Sequence, residues 1–443
     1  MSDEALIKAE KDYSEELDRE LPAIEKLDFD NALEKLLVLE KKARQATDLA
    51  SSKRVLTKIV EVAQKNGQWK MMNEQLQLLS KKHGQLKQAI ATLVQEVIKT
   101  LDFTPNLETK TDTIENIRTV TEGKIFVEVE RARVSRVLAQ IRESEGDIEK
   151  ASEILGELQV ETYGSMDQRE KTEFILEQVA LFIKKGDFNQ ALIIARKILP
   201  KYFNNPEVHD LKLRYYELMV KISLHDSKYL DVCQHYRAVY DTPRVQESSE
   251  QWKEALENIV YFIILSPYDN LQSDLIHKIA LDPKLQELEV HAALIKMFIA
   301  DELMRWPKVD EIYGKALKST WVFDPKTAEG KTRWDDLRKR VIEHNIRVVS
   351  KYYTRIRTSR LTALLDLTER ETEEFLSRLV TQGTIYARIN RPERIVSFAK
   401  PKDSNEVLNE WSNNISSLLN HIETIGHLIT KDEMMSGIKS KAK

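Results

Sequence analysis

Apolar residues recur at helical spacing along most of this chain, and one short pattern of them returns about every forty residues. In each occurrence a large apolar residue is followed three positions later by a smaller one, so both lie on one helix face. A period of this length is typical of a solenoid, in which helix-turn-helix units stack on their neighbours. The pairs are Phe29 and Ala32, Trp69 and Met72, Ile148 and Ala151, Phe188 and Ala191, and, more weakly, Tyr229 and Val232.

The spacing of these pairs defines the extent of the repeats. Their first residues are 40, 79, 40 and 41 positions apart, and the gap of 79 holds one degenerate unit near Pro105. Gly67, Gly146 and Gly186 precede three of the pairs, where we expect each to end a helix in the left-handed conformation. The pattern fades at Pro243. We therefore predict a helical-repeat, TPR-like solenoid over residues 1–245 and a mainly α fold.

A second domain is predicted over residues 246–400, and its first part, 246–353, is again helical in pattern. Pro267, Pro283 and Pro307 predict breaks there, because each disfavours helix in the preceding residue. Trp334–Tyr353 has the spacing of an amphipathic helix and leads directly into the next segment.

Residues 354–400 have the pattern of a winged helix, that is, a helix-turn-helix followed by a two-stranded wing. Thr368 and Glu371 have the capping-box spacing at the start of the second helix, and Gly383 is expected to end that helix. Two segments of alternating polarity, Thr384–Ile389 and Arg394–Phe398, predict the strands of the wing.

The C-terminal segment, residues 401–443, carries an unbroken heptad stripe on one predicted helix. Burying such side chains contributes about 1.5–3 kcal/mol each, so the stripe represents on the order of 10–20 kcal/mol. The helix either packs against helices of another protein, as a bundle helix, or folds back on its own repeats. The stripe consists of Leu408, Trp411, Ile415, Leu418, Ile422, Ile425 and Ile429, with Leu419 and Leu428 widening it.

Composition and charge restrict the function further. The 443 residues carry a formal net charge of −4, which gives no general attraction to nucleic acid or to an anionic membrane. The second predicted helix of the winged helix is acidic, whereas a helix that reads a DNA groove is basic. A single cysteine, Cys233, fits a reducing compartment. No signal sequence is recognised in Met1–Tyr13 and no apolar run is long enough to span a membrane, so we expect a cytoplasmic and nuclear protein.

The sequence contains only weak signals for a catalytic site. Gly330-Lys331-Thr332 is similar to the end of a phosphate-binding loop, but the first glycine position holds Pro325, and a loop closing on a helix start explains the same residues. The nine histidines have no zinc-ligand spacing. Cys233 with His235 is interpreted as core packing and His344 as part of a polar helix face. We expect no enzyme activity, no metal and no cofactor.

Eight sequence strings resemble one protein family across nearly the whole chain. A helical solenoid followed by a winged helix and a terminal helix is the layout of PCI-domain proteins, and the strings resemble the fungal lid subunits of the 26S proteasome regulatory particle called non-ATPase regulatory subunit twelve. The strings are DLASSK (48–53), LLSKKHGQLK (78–87), EGKIFVEVERARV (122–134), LQVETYGSM (158–166), LSPYDNLQSDLIHKI (265–279), ELMRWP (302–307), RVIEHNIRVVSKYY (340–353) and HIETIGHLITKDEM (421–434).

The resemblance implies a non-catalytic scaffold in a hetero-oligomer. Its expected partners are the other PCI subunits of the lid, the deubiquitinase pair, the base and the core particle. The implied contacts are the terminal helix in a shared bundle and an edge strand that pairs laterally. Two alternatives remain: a scaffold of the COP9 signalosome and a nucleic-acid-binding PCI adaptor. The predicted edge residues are Arg394, Ile395, Val396, Ser397 and Phe398.

Overall fold

The computed structural model of this protein describes residues 13–24 and 29–441, which belong to two compact units, Met1–Ala255 and Leu256–Lys443. The prediction about Met1–Tyr13 falls outside the described residues, apart from Tyr13 itself. The helices of the first unit are α1 (Ser14–Ile24), α2 (Phe29–Gln45), α3 (Leu49–Lys65), α4 (Trp69–Lys81), α5 (Lys87–Thr100), α6 (Leu107–Thr121), α7 (Glu128–Ser144), α8 (Ile148–Gly156), α9 (Gln168–Lys185), α10 (Phe188–Ala195), α11 (His209–His225), α12 (Tyr229–Tyr240) and α13 (Pro243–Glu247), followed by α14 (Ser249–Leu265).

The predicted repeats coincide with these helices. The large apolar residue of every predicted pair is the first residue of a helix, namely α2, α4, α8, α10 or α12, and α6 begins at Leu107 in the degenerate unit. The smaller partners are buried in the core between helices. Gly67, Gly146 and Gly186 have φ values of +64°, +86° and +87°, so the predicted left-handed stops are confirmed. Ser227 has the same conformation before α12 without being a glycine, at φ +56°.

Successive repeats are also joined by polar contacts between positions about one period apart. Arg133 on α7 binds Glu170 on α9 through two hydrogen bonds of 2.8 and 2.9 Å, and Asn73 on α4 donates to Thr113 on α6 at 3.3 Å. The exposed ion pair contributes about 0.2–1 kcal/mol, and the part-buried hydrogen bond contributes about 0.5–1.5 kcal/mol. Burial of apolar residues such as Leu56 and Phe174, both fully buried, therefore dominates the stability of the solenoid.

In the second unit, the helices after α14 are α15 (Asn270–Ala280), α16 (Glu289–Ile299), α17 (Trp306–Lys318), α18 (Ala328–Tyr352), α19 (Thr358–Leu365), α20 (Glu369–Thr381) and α21 (Ser404–Lys441). Pro307 lies in the first turn of α17, where its missing N–H leaves no bond unmade. α18 begins six residues before the predicted start at Trp334, because Thr327 caps it by accepting from the N–H of Gly330. Short 3-10 turns occur at Leu101–Phe103, Ile125–Val127, Val160–Thr162, Pro200–Asn204, Pro206–Val208, Pro283–Glu287 and Trp321–Phe323.

The winged helix is present, but its sheet corrects the predicted wing. The strands are β1 (Arg355–Arg357), β2 (Arg388–Asn390) and β3 (Ile395–Ser397), in the order β1-β3-β2. β3 is thus the central strand, and the prediction that Arg394–Phe398 forms an edge is wrong. The cause is β1, a third strand that the sequence pattern did not indicate and that pairs with the far side of β3. The predicted capping box of Thr368 and Glu371 is confirmed.

Candidate protein-interaction surfaces

The apolar stripe of α21 faces solvent. Its seven predicted residues, from Leu408 to Ile429, are 41% to 64% exposed, and every residue from 401 to 436 is exposed. Each side chain is covered only by its own helix, which hides roughly half of it. The stripe is therefore a contiguous apolar surface without a covering element among the described residues, and a surface of this kind marks an interaction site.

The flanks of the stripe carry little charge. The positions that border it include Ser412, Asn414 and Gly426, together with the exposed Leu419 and Leu428. In a two-stranded coiled coil such flanking positions are commonly Glu or Lys, which form ion pairs between the helices. A wide apolar band with uncharged borders fits burial against more than one partner helix.

The backbone of β3 forms hydrogen bonds within the sheet of the winged helix, to the strands on either side of it. Phe398 N–H donates to the carbonyl of Thr354 and Thr358 N–H donates to the carbonyl of Arg394, both at 2.9 Å. The side chains of Val396 and Phe398 are buried in the core of the winged helix. The five predicted edge residues therefore hold the sheet together, while the outer sides of β1 and β2 are its edges.

Alternation in the antiparallel ladder shows which backbone groups face outward. Because residues 354 and 358 bond to β3, the pair between them, Ile356 and Val396, is also hydrogen-bonded. Ser397 and Ile395 then bond to β2, and Ile389 lies opposite Val396 in a pair that is not hydrogen-bonded. The N–H and C=O of Ile389 consequently point away from the sheet, where an added strand can reach them.

The second helix of the winged helix, α20, is unsuited to DNA. Glu369, Glu373 and Glu374 on this helix are exposed or partly exposed. Arg391, in the turn of the wing, binds Glu373 through its Nε at 2.8 Å, so the positive charge of this arginine is neutralised. Hydrogen bonds from Thr368 to the carboxylate of Glu371 lower the pKa of Glu371, so a negative charge persists at the start of this helix. This arrangement repels a nucleic-acid backbone.

The residues that resembled a phosphate-binding loop form a helix start. A Cβ on Gly330 would lie 2.1 Å from the carbonyl oxygen of Asp324, so only glycine fits where this loop closes on α18. Lys331 and Thr332 are exposed. The interpretation as a loop closing on a helix agrees with this geometry.

The cysteine and the metal-ligating types of side chain give no catalytic or metal site among the described residues. Cys233 is buried, and burial raises the pKa of its thiol to about 12, so it is not a nucleophile at neutral pH. Among the described residues no group of three or more His, Cys, Asp or Glu side chains is arranged to hold a metal ion.

His344 corrects the sequence interpretation of a polar helix face, because it is buried in α18. Arg347 Nη2 lies 3.1 Å from His344 Nδ1, and the guanidinium stacks 3.6 Å above the ring of Tyr268. Burial, and then the charge of Arg347, lower the pKa of His344 to about 4. The neighbouring Asn345 accepts from Met304 N–H at 2.8 Å and donates to its carbonyl at 2.6 Å. This polar cluster fixes α18 against the 300–305 loop. Its burial becomes visible only in the structure, where residues 341–346, 348 and 349 are all buried.

Within the described ranges, no helix combines the length and the apolar character needed to cross a lipid bilayer.

Comparison with known proteins gives a consistent result over the whole chain. Three family profiles match: "PSMD12/CSN4, N-terminal" at residues 31–248, "PCI domain" at residues 303–400, and "26S proteasome regulatory subunit RPN5 C-terminal domain" at residues 405–437.

Full-length relatives agree with the profiles. The chain is 54% identical to the 26S proteasome regulatory subunit RPN5 of Saccharomyces cerevisiae, with 100% of both chains covered. It is 51% identical to the 26S proteasome regulatory subunit rpn501 of Schizosaccharomyces pombe, with 98% of each chain covered. It is 40% identical to the 26S proteasome non-ATPase regulatory subunit 12 of Dictyostelium discoideum, over 92% of this chain and 90% of the relative. The chain therefore belongs to the family of 26S proteasome regulatory subunits that includes RPN5 and non-ATPase regulatory subunit 12.

Proposed function

We propose that this protein is a non-catalytic scaffold subunit of the proteasome lid, acting in ubiquitin-dependent protein degradation as part of a hetero-oligomer in the cytoplasm and the nucleus. The observation that carries the proposal is the exposed apolar stripe of α21. The similarity to regulatory subunits of the 26S proteasome supports the choice of assembly.

In this proposal α21 enters a bundle with the terminal helices of other PCI subunits. Because each stripe residue is already about half covered by its own helix, completing the burial of all seven contributes on the order of 5–10 kcal/mol. Association costs roughly 4–15 kcal/mol in lost motional freedom. The stripe alone thus about balances that cost, so stable incorporation requires further contacts elsewhere on the chain.

The winged helix and the solenoid are proposed to supply those contacts. Lateral pairing with a neighbouring PCI subunit is assigned to an edge of the sheet, β1 or β2, instead of to β3. The exposed faces of the solenoid present the extended surface on which a repeat protein binds its partners. There we assign contacts with other lid subunits, the deubiquitinase pair, the base and the core particle.

A pair of matched variants tests the bundle assignment. Trp411→Glu with Ile422→Glu places two carboxylates in the stripe, whereas Asn413→Glu with Asn420→Glu places the same charges on the opposite face of the helix. We expect the stripe variant to be lost from proteasomes purified through a tag on another lid subunit, because burying an unpaired charge costs several kcal/mol. The control variant should co-purify normally.

Both variants should keep the unfolding temperature of the parent chain, since α21 is exposed along its described side chains. Normal recovery of the stripe variant with the lid would refute the bundle assignment.

A further inference from the structure

A groove of about 490 Å³ lies between the end of α16 and the first turns of α17. Its lining is mainly apolar and includes Met297, the buried Val309 and the buried Tyr313. Two apolar side chains at its border are exposed, Leu303 at 41% and Ile312 at 66%. Exposed apolar side chains that continue into an apolar groove identify a surface that a partner covers.

Three cations surround this groove: Lys296, Arg305 and Lys308. All three are exposed, and in the described structure none of them forms an ion pair. Lys318, farther along α17 and away from the groove, is by contrast bound to Asp310 at 2.7 Å. In the part of the chain that the structure describes, the groove thus joins three cations without an ion pair to an open apolar surface, and Glu302 is the one carboxylate among the residues that line it.

We propose that this groove is a docking site for an acidic amphipathic helix of another subunit. An apolar ridge on such a helix, with residues at i, i+3 or i+4 and i+7, covers Leu303 and Ile312 and fills the groove. Its flanking carboxylates pair with Lys296, Arg305 and Lys308. The inference rests on the proposed function only in that the chain works inside an assembly, because the bundle helix and the sheet edges lie elsewhere in the fold.

An acidic helix fits better than nucleic acid. A nucleic-acid backbone would use the three cations but leave the apolar floor exposed to water, and three phosphate contacts give little affinity at physiological salt. A helix with both an apolar ridge and carboxylates uses both parts of the surface.

Site-specific photo-crosslinking in the assembled complex tests the proposal. A photoreactive amino acid replaces Ile312, and in a matched control it replaces Leu281, which is 84% exposed in the same unit but lies outside the groove. Complexes are purified through a tag on another proteasome subunit, irradiated, and digested, and the linked peptides are sequenced. We expect the probe at position 312, and not at 281, to mark one segment that is acidic and has helical apolar spacing.

Charge reversal gives a second readout. Lys296→Glu, Arg305→Glu and Lys308→Glu together should lower the crosslink yield at position 312 by about 3- to 100-fold, because three exposed ion pairs contribute roughly 1.4- to 5-fold each. Changing the acidic residues of the marked segment to lysine should restore the yield. Since all three cations are exposed, the unfolding temperature of the reversed chain should equal that of the parent.

Four results would overturn the docking proposal: no crosslink above the Leu281 control, a marked segment that is neutral or basic, a crosslink to nucleic acid, or a yield unaffected by the reversals. These outcomes are scored only in complexes that the probe-bearing chain has entered, so they leave the scaffold proposal standing. Failure of the unmodified chain to enter any proteasome complex would overturn the scaffold proposal and this one together.

Discussion

A proline scan of the sheet separates the central strand from an edge strand. Val396 on β3 is 1% exposed, and the ladder assigns its N–H to the carbonyl of Ile356. Val396→Pro removes that donor and leaves a buried carbonyl without a partner, which costs about 1–3 kcal/mol. It also removes packing of the valine side chain, which costs roughly another 1–2 kcal/mol. We expect this variant to lower the free energy of unfolding of the second unit by about 2–5 kcal/mol.

The same substitution on β2 should have a different effect. The N–H of Ile389 points away from the sheet, and proline is tolerated at such edge positions. Ile389→Pro therefore changes stability about as much as Ile389→Ala, which loses the same half-buried side chain but keeps the N–H. If a neighbouring subunit adds a strand at β2, however, the proline leaves a carbonyl of that strand unbonded. The expected loss is about 1–3 kcal/mol, or roughly 5- to 150-fold in affinity.

The assays are urea unfolding of the purified chain, followed by tryptophan fluorescence and circular dichroism, and binding of the neighbouring PCI subunit by surface plasmon resonance. Equal binding of Ile389→Pro and Ile389→Ala would show that β2 is not the pairing edge and would leave β1. An unchanged unfolding free energy for Val396→Pro would contradict the central position of β3.

Two further predictions concern the loop before α18 and the histidine buried within that helix. Gly330→Ala should lower the free energy of unfolding by about 1–3 kcal/mol, because the new Cβ would lie 2.1 Å from the carbonyl oxygen of Asp324. In the control Gly426→Ala, the new Cβ meets nothing within 4 Å and should favour the helix by about 1 kcal/mol. Thermal unfolding measures the first effect and circular dichroism the second, and equal effects of the two substitutions would contradict the packing explanation. The pKa of His344 is near 4 in the folded chain and 6.5 in the unfolded chain, so the unfolded state binds more protons between these pH values and stability falls as pH decreases from about 6.5 to 4, by up to roughly 3 kcal/mol. A pH series of urea midpoints should show a shallower slope for His344→Gln, and an identical slope would refute the assignment to this residue.

The helical part of this fold was readable from the sequence because its signals are local. Phe188 and Ala191 are three positions apart, and the left-handed Gly186 before them marks the boundary, so each repeat carries its own information. The capping box at Thr368 is equally local, since both of its bonds lie within four residues. The predicted start of α18 was late because the N-cap at Thr327 precedes a polar first turn that carries no apolar spacing.

The sheet could not be read in the same way, because its order depends on pairing between distant segments. β1 spans Arg355–Arg357, and its partner β3 lies some forty positions later. Three residues with a single apolar one, Ile356, give no detectable alternation, and without β1 the two-stranded wing makes β3 an edge. The burial of His344 could not be predicted for a related reason. Polar residues on a helix predict a solvent-exposed face unless the segments that pack against that face are known.

The exposed stripe of α21 has a consequence for how the chain folds. A helix that packs against nothing depends on local propensity, and α21 contains several weak helix formers, among them Asn413, Asn414, Ser416, Ser417 and Gly426. Most helical stability in proteins comes from tertiary packing of an apolar face. The heptad spacing from Leu408 to Ile429 supplies such a face, yet the described chain supplies nothing to cover it. Ordering of this segment is thus thermodynamically linked to the partner that covers the stripe, so any free energy that holds the subunit in an assembly also stabilises its last helix.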